Sequence, residues 1–239
     1  MNNMSDISSR QAALAAGVGL ILMVFLAPVA YFSIIQNLIV PGDAPATTAN
    51  IVESLDSFRM SIVMLLFVAI LDILVAWGLY VLLKPINKSL SLLMAWIRVV
   101  YAAIYVVAIA NLYNVLPLLS DAGYTALLGT DQINAQVMLL IDSFRNEWDT
   151  GLGIFGLHLF LLGYLVFKAD QRILGILVVI AGAGYFIDSF GKMLSPDYSL
   201  TIGLYTFAGE ILLIFWLIWI GFKGVPDTLK RGSIKKNHP

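Results

Sequence analysis

Six long apolar runs separated by short polar breaks set the pattern of this chain: roughly Ala12–Leu38, Met60–Leu83, Leu90–Leu119, Thr150–Phe167, Ile173–Leu194 and Thr201–Phe222. A helix crossing the hydrocarbon core needs about 20 apolar residues, so each run predicts one crossing. The breaks carry turn chemistry: "PGDAPATT" after the first run, "KPINKS" after the second, "KADQR" after the fourth and "SPD" after the fifth. These positions are read as linkers. The first run also carries Ala12, Ala13, Ala15, Ala16, Gly17 and Gly19 at helical spacing, which suits close helix packing, and Pro28 predicts a bend. Arg10 before that run and "APVA" within it resemble a signal peptide, but the run is too long for an apolar region of about 7–15 residues, so it is expected to stay.

One amphipathic stretch lies between the third and fourth runs. In "DQINAQVMLLIDSFRNEW", residues 131–148, Ile133, Val137, Leu140, Ile141, Phe144 and Trp148 recur every three or four residues. Asn134, Asp142, Arg145 and Asn146 fall off that stripe. The segment is too polar to span, so the expectation is an extracellular interfacial amphipathic helix lying flat, with Trp148 at the turn into the fourth span. Such a helix either covers the neighbouring spans or acts as a lid.

Composition sharpens the class. Hydrophobic residues make up 60% of the 239 and charged ones 12%; the mean hydropathy is +0.89. A soluble domain carries about 25% charged residues. The deficit runs along the whole chain, so residues 1–239 read as one integral membrane domain: all-α, polytopic, a six-transmembrane-helix bundle. The net charge of −1 gives no footprint for nucleic acid. With no cysteine, disulfides, thiolate nucleophiles, Cys-ligated zinc and iron–sulfur clusters are excluded.

The charges give an orientation. Arg10, Lys84, Lys88, Lys168, Arg172, Lys223, Lys230, Arg231, Lys235 and Lys236 fall on one side of six crossings, including the basic tail 223–239. The other side holds Glu53, Asp56, Asp121, Asp131, Asp142, Glu147 and Asp149, with Arg59, Arg145 and Lys192 its bases. Both termini are therefore expected in the cytoplasm. "DSF" recurs at Asp56–Phe58, Asp142–Phe144 and Asp188–Phe190, each followed by a base on the same helical face: Arg59, Arg145 and Lys192. All three fall at the same boundary but in opposite chain directions, which argues against an inverted repeat. They read as interface anchors, Phe inserting among the lipids and Asp pairing with the base.

Ionisable groups inside the spans need a partner or a cavity. Asp72 is about 18 Å and Arg98 about 13 Å from the cytoplasmic boundary at 1.5 Å per residue, so an intramembrane ion pair is expected. His158, Asp188 and Glu210 count to roughly 9–15 Å below the outer surface, with Asn111 and Tyr185 at that level. This second, polar cluster suggests a proton relay or a cation site; a bland hydrogen-bonded closure of the helices is the competing reading. No metal is expected, because neither HExxH nor His-x-x-x-His spacing occurs and His238 lies in the tail. "AGAGY" (181–185) lies inside a span as a packing face, and no cofactor is implied.

"GLHLFLLGYLVFK" (156–168), "RILGILVVIAGAGYFIDSFGKML" (172–194), Glu210 in the last span and "WIRVVYAAIY" (96–105) together resemble the bacterial membrane family known as domain of unknown function 4386. The resemblance implies a six-helix protein of the bacterial inner membrane and brings no activity, cofactor or catalytic residue with it. Three functions stay open. The chain binds or moves a small solute or proton through a polar intramembrane cavity; or it is an intramembrane enzyme on a lipid-type substrate; or it is a non-catalytic sensory or assembly protein. Membrane lipid and a small-molecule or proton ligand are the partners these readings call for.

Overall fold

The computed structural model describes residues 7–120 and 122–230. Asp121 and the tail residues Arg231, Lys235, Lys236 and His238 lie outside the described residues. Every regular element in them is helical: α1 (Ser9–Pro28), a π-helical segment (Val29–Ile35), α2 (Gln36–Leu38), α3 (Ala44–Glu53), α4 (Leu55–Leu83), α5 (Lys88–Ser120), α6 (Ala122–Leu128), α7 (Thr130–Lys168), α8 (Arg172–Leu194), α9 (Ile202–Thr206), α10 (Ala208–Lys223) and α11 (Asp227–Lys230). Among the described residues, six helical stretches are long and apolar enough to cross a membrane: Ser9–Leu38, Leu55–Leu83, Lys88–Ser120, Thr130–Lys168, Arg172–Leu194 and Ile202–Lys223. The protein is an all-α polytopic membrane protein.

Three local features correct or extend the sequence reading. The first concerns residues 131–148. They are helical, as the stripe predicts, but the helix does not end at Trp148; it continues unbroken into the fourth span as α7. A separate interfacial helix is therefore replaced by one helix of 39 residues, about 58 Å long at 1.5 Å per residue. The reason is visible in the phase of the buried positions. Ile133, Val137, Ile141 and Phe144 are buried, and Phe155, His158, Leu159, Leu162 and Leu165 continue the same periodicity. No proline interrupts residues 149–151, so nothing stops the hydrogen-bond ladder. Asn134 is buried with the stripe, not off it.

The second is α3, which occupies part of the "PGDAPATT" linker. Asp43 accepts from the Ala46 N–H at 2.9 Å, and Pro45 sits in the first turn. An Asp N-cap followed by an early proline is a helix-start signal as well as a turn signal. The third is Pro28. It lacks an N–H for the α ladder, and the chain switches to π-helix at the next residue.

The structure divides into two compact units, residues 1–21, 71–102 and 150–239, and residues 22–70 and 103–149. In the first, small residues set the helix spacing. A Cβ on Gly78 would meet the Ala12 carbonyl oxygen at 2.8 Å, and one on Gly17 would meet Ile218 Cδ1 at the same distance. The small face of α1 thus does pack closely, as its spacing predicts. Arg10 Nε donates to the Gly221 carbonyl at 2.6 Å, which satisfies a C-terminal carbonyl of α10. Between α7 and α8 the backbones nearly touch: Gly156 faces the Gly182 carbonyl and Gly163 faces that of Gly175. "AGAGY" is a packing face.

The second unit has an aromatic core. Tyr31, from the π segment, stacks edge-on against Trp148 with centroids 4.8 Å apart, and Tyr105 and Phe144 flank the same indole. Two copies of "DSF" make the expected i,i+3 pair, Asp56 with Arg59 at 3.5 Å and Asp142 with Arg145 at 3.6 Å. Their phenylalanines differ from the anchor reading: Phe58 and Phe144 are buried in protein, and Phe190 of the third copy is exposed. Tripeptide identity does not fix helix phase, so the same residues meet different surroundings.

Candidate functional site

In the first unit, four polar residues occupy positions where the helical period calls for apolar ones. On α4, Leu65, Ala69, Asp72, Val75, Ala76 and Leu79 form the buried stripe; on α5, Met94, Arg98, Tyr101 and Tyr105 do so. His158 follows Phe155 on α7, and Glu210 precedes Leu213, Ile214 and Leu217 on α10. Each charged group is thus turned inward by its own helix's apolar neighbours.

Asp72 Oδ1 lies 2.7 Å from Arg98 Nη2, a direct ion pair in which both side chains are almost fully buried. The predicted pair is present. Asp72 Oδ2 has no hydrogen-bond partner. The other guanidinium nitrogen, Arg98 Nη1, lies 3.2 Å from His158 Nε2. A guanidinium has five N–H donors and no acceptor, so Nε2 must be the lone-pair nitrogen. His158 Nδ1 then carries the proton and donates to the Met94 carbonyl at 2.9 Å. The imidazole is neutral and its tautomer is set by two neighbours, as hydrogen bonding on one ring nitrogen dictates the role of the other.

Beside this triad, Tyr185 donates to Glu210 Oε1 at 2.8 Å. Glu210, buried like them, lies in the electrostatic field of Arg98 and Asp72. It also sits in the first turn of α10, just after the interruption of the sixth span at Phe207, where a helix N-terminus favours a carboxylate. Phe155 stands among these groups. Its ring centroid is 5.1 Å from Arg98 Cζ, 5.4 Å from the His158 ring and 5.7 Å from Tyr185. The guanidinium therefore has an anionic contact, a neutral acceptor and an aromatic face.

The grouping differs from the one counted by depth. His158 joins Asp72 and Arg98, with Glu210 and Tyr185 beside them, so the inner pair takes in part of the outer cluster and not Asp188 or Asn111. Depth counting set His158 apart from Arg98 because it treated the polar 142–150 stretch as the end of one helix and the start of another, whereas α7 runs through it unbroken. Asp188 has a different task. Its Oδ1 accepts from Tyr198 Oη at 2.7 Å and from the Ile202 N–H at 3.0 Å, and its Oδ2 accepts from the Gly203 N–H at 2.7 Å. It caps α9 and fastens the 195–201 loop. The hydrogen bond to Asp188 pushes the Tyr198 phenol up to about 12. Asn111 belongs to the second unit, where Nδ2 donates to Glu147 Oε2 at 2.7 Å. Sequence reasoning missed Glu147, Met94 and Phe155 as partners; the stripe phase of α5 and α7 was the signal available for the last two. Among the described residues, no group of three His, Asp or Glu is placed to hold a metal ion.

Residues 15–221, most of the chain and all four polar residues among them, match the family model described as Domain of unknown function (DUF4386). The chain belongs to the DUF4386 family. An uncharacterized protein of Archaeoglobus fulgidus is 37% identical to this DUF4386 member over 165 residues, covering 68% of this chain and 85% of that protein. No solved structure matches it. The resemblance read from "GLHLFLLGYLVFK" onward is thereby established; the family is one of unknown function.

Proposed function

We propose that this DUF4386 protein is a proton-linked membrane protein whose buried Asp72–Arg98–His158–Glu210 cluster binds a proton and moves it, alone or with a small solute. One observation supports this reading: a buried guanidinium pairs directly with Asp72, a second buried carboxylate, Glu210, lies in its electrostatic field, and His158 is held neutral by its hydrogen bonds. With both carboxylates ionised, one negative charge would be left over in a water-poor interior, where an uncompensated charge is costly. A proton shared between Asp72 and Glu210 removes the excess, and such a pair titrates as a unit. Asp72 Oδ2, buried without a hydrogen-bond partner, offers a place for it.

The test is proton flux into pyranine-loaded proteoliposomes under an imposed potential. The proposal expects flux above that of protein-free vesicles, lost in Asp72→Asn and in Glu210→Gln. Flux equal to that of empty vesicles would refute the movement. A second reading, a clamp that only holds helices together, is supported by the near-complete burial of Asp72, Arg98 and His158. It expects the same substitutions to lower stability with no flux to lose. The intramembrane-enzyme reading needed His158, Asp188 and Glu210 as one acid–base set, and Asp188 is engaged elsewhere.

The basic residues support an inner-membrane placement with both termini in the cytoplasm. Cysteine labelling tests this in a chain that has no native cysteine. Ser120→Cys should react from outside; reaction from the cytoplasmic side alone would overturn the orientation.

A further inference from the structure

In the first unit, the α4–α5 connection, the last turn of α7 and α11 border an open surface concavity of about 380 Å³ lined by Pro85, Ile86, Asn87, Tyr164, Lys168 and Thr228. Its volume falls in the range of small-ligand sites. Its position is that of a bilayer boundary, because α4 ends at Leu83, α5 begins at Lys88, α7 ends at Lys168 and α8 begins at Arg172. Three features set its chemistry. Lys168 Nζ is held over the Tyr164 ring, 5.6 Å from its centroid, which keeps an ammonium at the mouth. Asn87 Oδ1 accepts from the Leu90 N–H at 3.0 Å, which caps the α5 end at this wall. Thr228 Oγ1 is tied to the Ala169 carbonyl at 3.5 Å, which brings α11 against the end of α7.

The surrounding charge is positive. Lys84 and Lys88 flank the Pro85–Asn87 wall, and Arg172 follows the Lys168 turn, all exposed. The nearby acids are Asp170, in that turn, and Asp227, which is paired with Lys230 at 3.0 Å. A basic concavity between membrane helices at the headgroup level is suited to a phosphate-bearing anion, and tyrosine at that level suits lipid contact on the same wall.

We infer that this concavity binds a phosphate-bearing anion at the membrane surface through Lys168, in the first instance the headgroup of an anionic phospholipid. The site lies apart from the buried cluster and does not depend on the proton reading.

Native mass spectrometry of the full chain in detergent tests it, with short-chain phosphatidylglycerol, phosphatidylcholine and inorganic phosphate as probes. Phosphatidylglycerol should bind about fivefold tighter than phosphatidylcholine, the factor expected from one lysine near the surface. Lys168→Gln should abolish that preference. Lys223→Gln, whose amine lies over Trp219 on α10, should leave it intact, which separates this site from general basicity. Both positions are exposed, so neither change disturbs the core. Binding of inorganic phosphate that Lys168→Gln removes, without a lipid preference, would support the anion site and assign its ligand to solution. Equal binding of the two lipids with no phosphate binding would overturn the proposal, as would a preference that survives Lys168→Gln.

Discussion

Arg98 Nη1 and His158 Nε2 stand 3.2 Å apart in the interior of the protein, and the guanidinium can only donate. That single relationship fixes the imidazole's proton on Nδ1, toward the Met94 carbonyl. It also argues against an imidazolium there, since a protonated Nε2 would point N–H at N–H.

Nitrogen NMR can read this tautomer directly. The chain has two histidines, so ¹⁵N-histidine labelling of a His238→Gln variant leaves one signal pair. The expected spectrum is of a neutral ring with Nδ1 protonated and Nε2 bare. A ring protonated at Nε2 would contradict the hydrogen-bond assignment.

A double-mutant cycle addresses the Asp72–Arg98 contact. Asp72→Asn removes the direct ionic partner of Arg98, and Arg98→Gln leaves Asp72 buried without its cation; each should cost up to about 3–5 kcal/mol, less for Asp72→Asn if Glu210 takes over the balance. The double substitution should cost clearly less than the two losses together, because the residues touch. Strictly additive losses in reversible detergent unfolding would mean that the pair contributes nothing as a pair.

Much of the fold was legible from the six apolar runs, because membrane spans need length and apolarity and little else. Boundaries were less so. The continuity of α7 through Trp148 and Asp149 was hidden because residue polarity, read alone, resembles a membrane boundary; the unbroken phase from Ile141 through Phe155 carried the contrary information. The candidate site was half legible. Asp72 and Arg98 announce themselves as charges in apolar runs, and a pairing of neighbours in sequence is the simplest solution. His158 was grouped by depth alone, and depth does not say which neighbouring helix a side chain faces; its contact with Arg98 is set by the rotation of α7. Asp188 misled for a different reason: a carboxylate near a helix end has backbone N–H groups as alternative partners, and here Ile202 and Gly203 supply them.

The continuity of α7 has its own measurement. Spin labels on Leu139→Cys and Leu157→Cys, both exposed positions, lie 18 residues apart along one helix. A straight helix separates their backbones by about 27 Å, and a right-angled turn at Trp148 by about 19 Å. Electron–electron distances near the longer value are expected, once label length is allowed for. The shorter one would restore a flat interfacial helix.

Tyr198, in the loop between the fifth and sixth spans, gives a pH prediction through its contact with Asp188. The phenol is held neutral by donating to the carboxylate, and its titration is pushed up to about 12. Folding therefore favours the protonated phenol. The stabilisation is fully present below the ordinary tyrosine range near 10 and is lost as pH rises from there through about 12. Ultraviolet titration of the wild type against Tyr198→Phe should remove one late-titrating phenolate. Asp188→Ala should bring that titration back toward the ordinary range and loosen the α9 cap. If Tyr198 titrates with the exposed tyrosines in the wild type, the loop is not fastened in this way.

Whether the buried cluster holds an exchangeable proton is decided most directly by infrared difference spectroscopy of the protein in lipid between acid and alkaline pH. The account predicts the C=O stretch of a buried protonated carboxyl that disappears on alkalinisation. Glu210→Gln and Asp72→Asn should each alter this band, because the two carboxylates share the proton, and Asp188→Asn should leave it unchanged. A spectrum with no titrating buried carboxyl, or one whose band survives both substitutions, would contradict the account and leave the Asp72–Arg98–His158 contacts as a clamp.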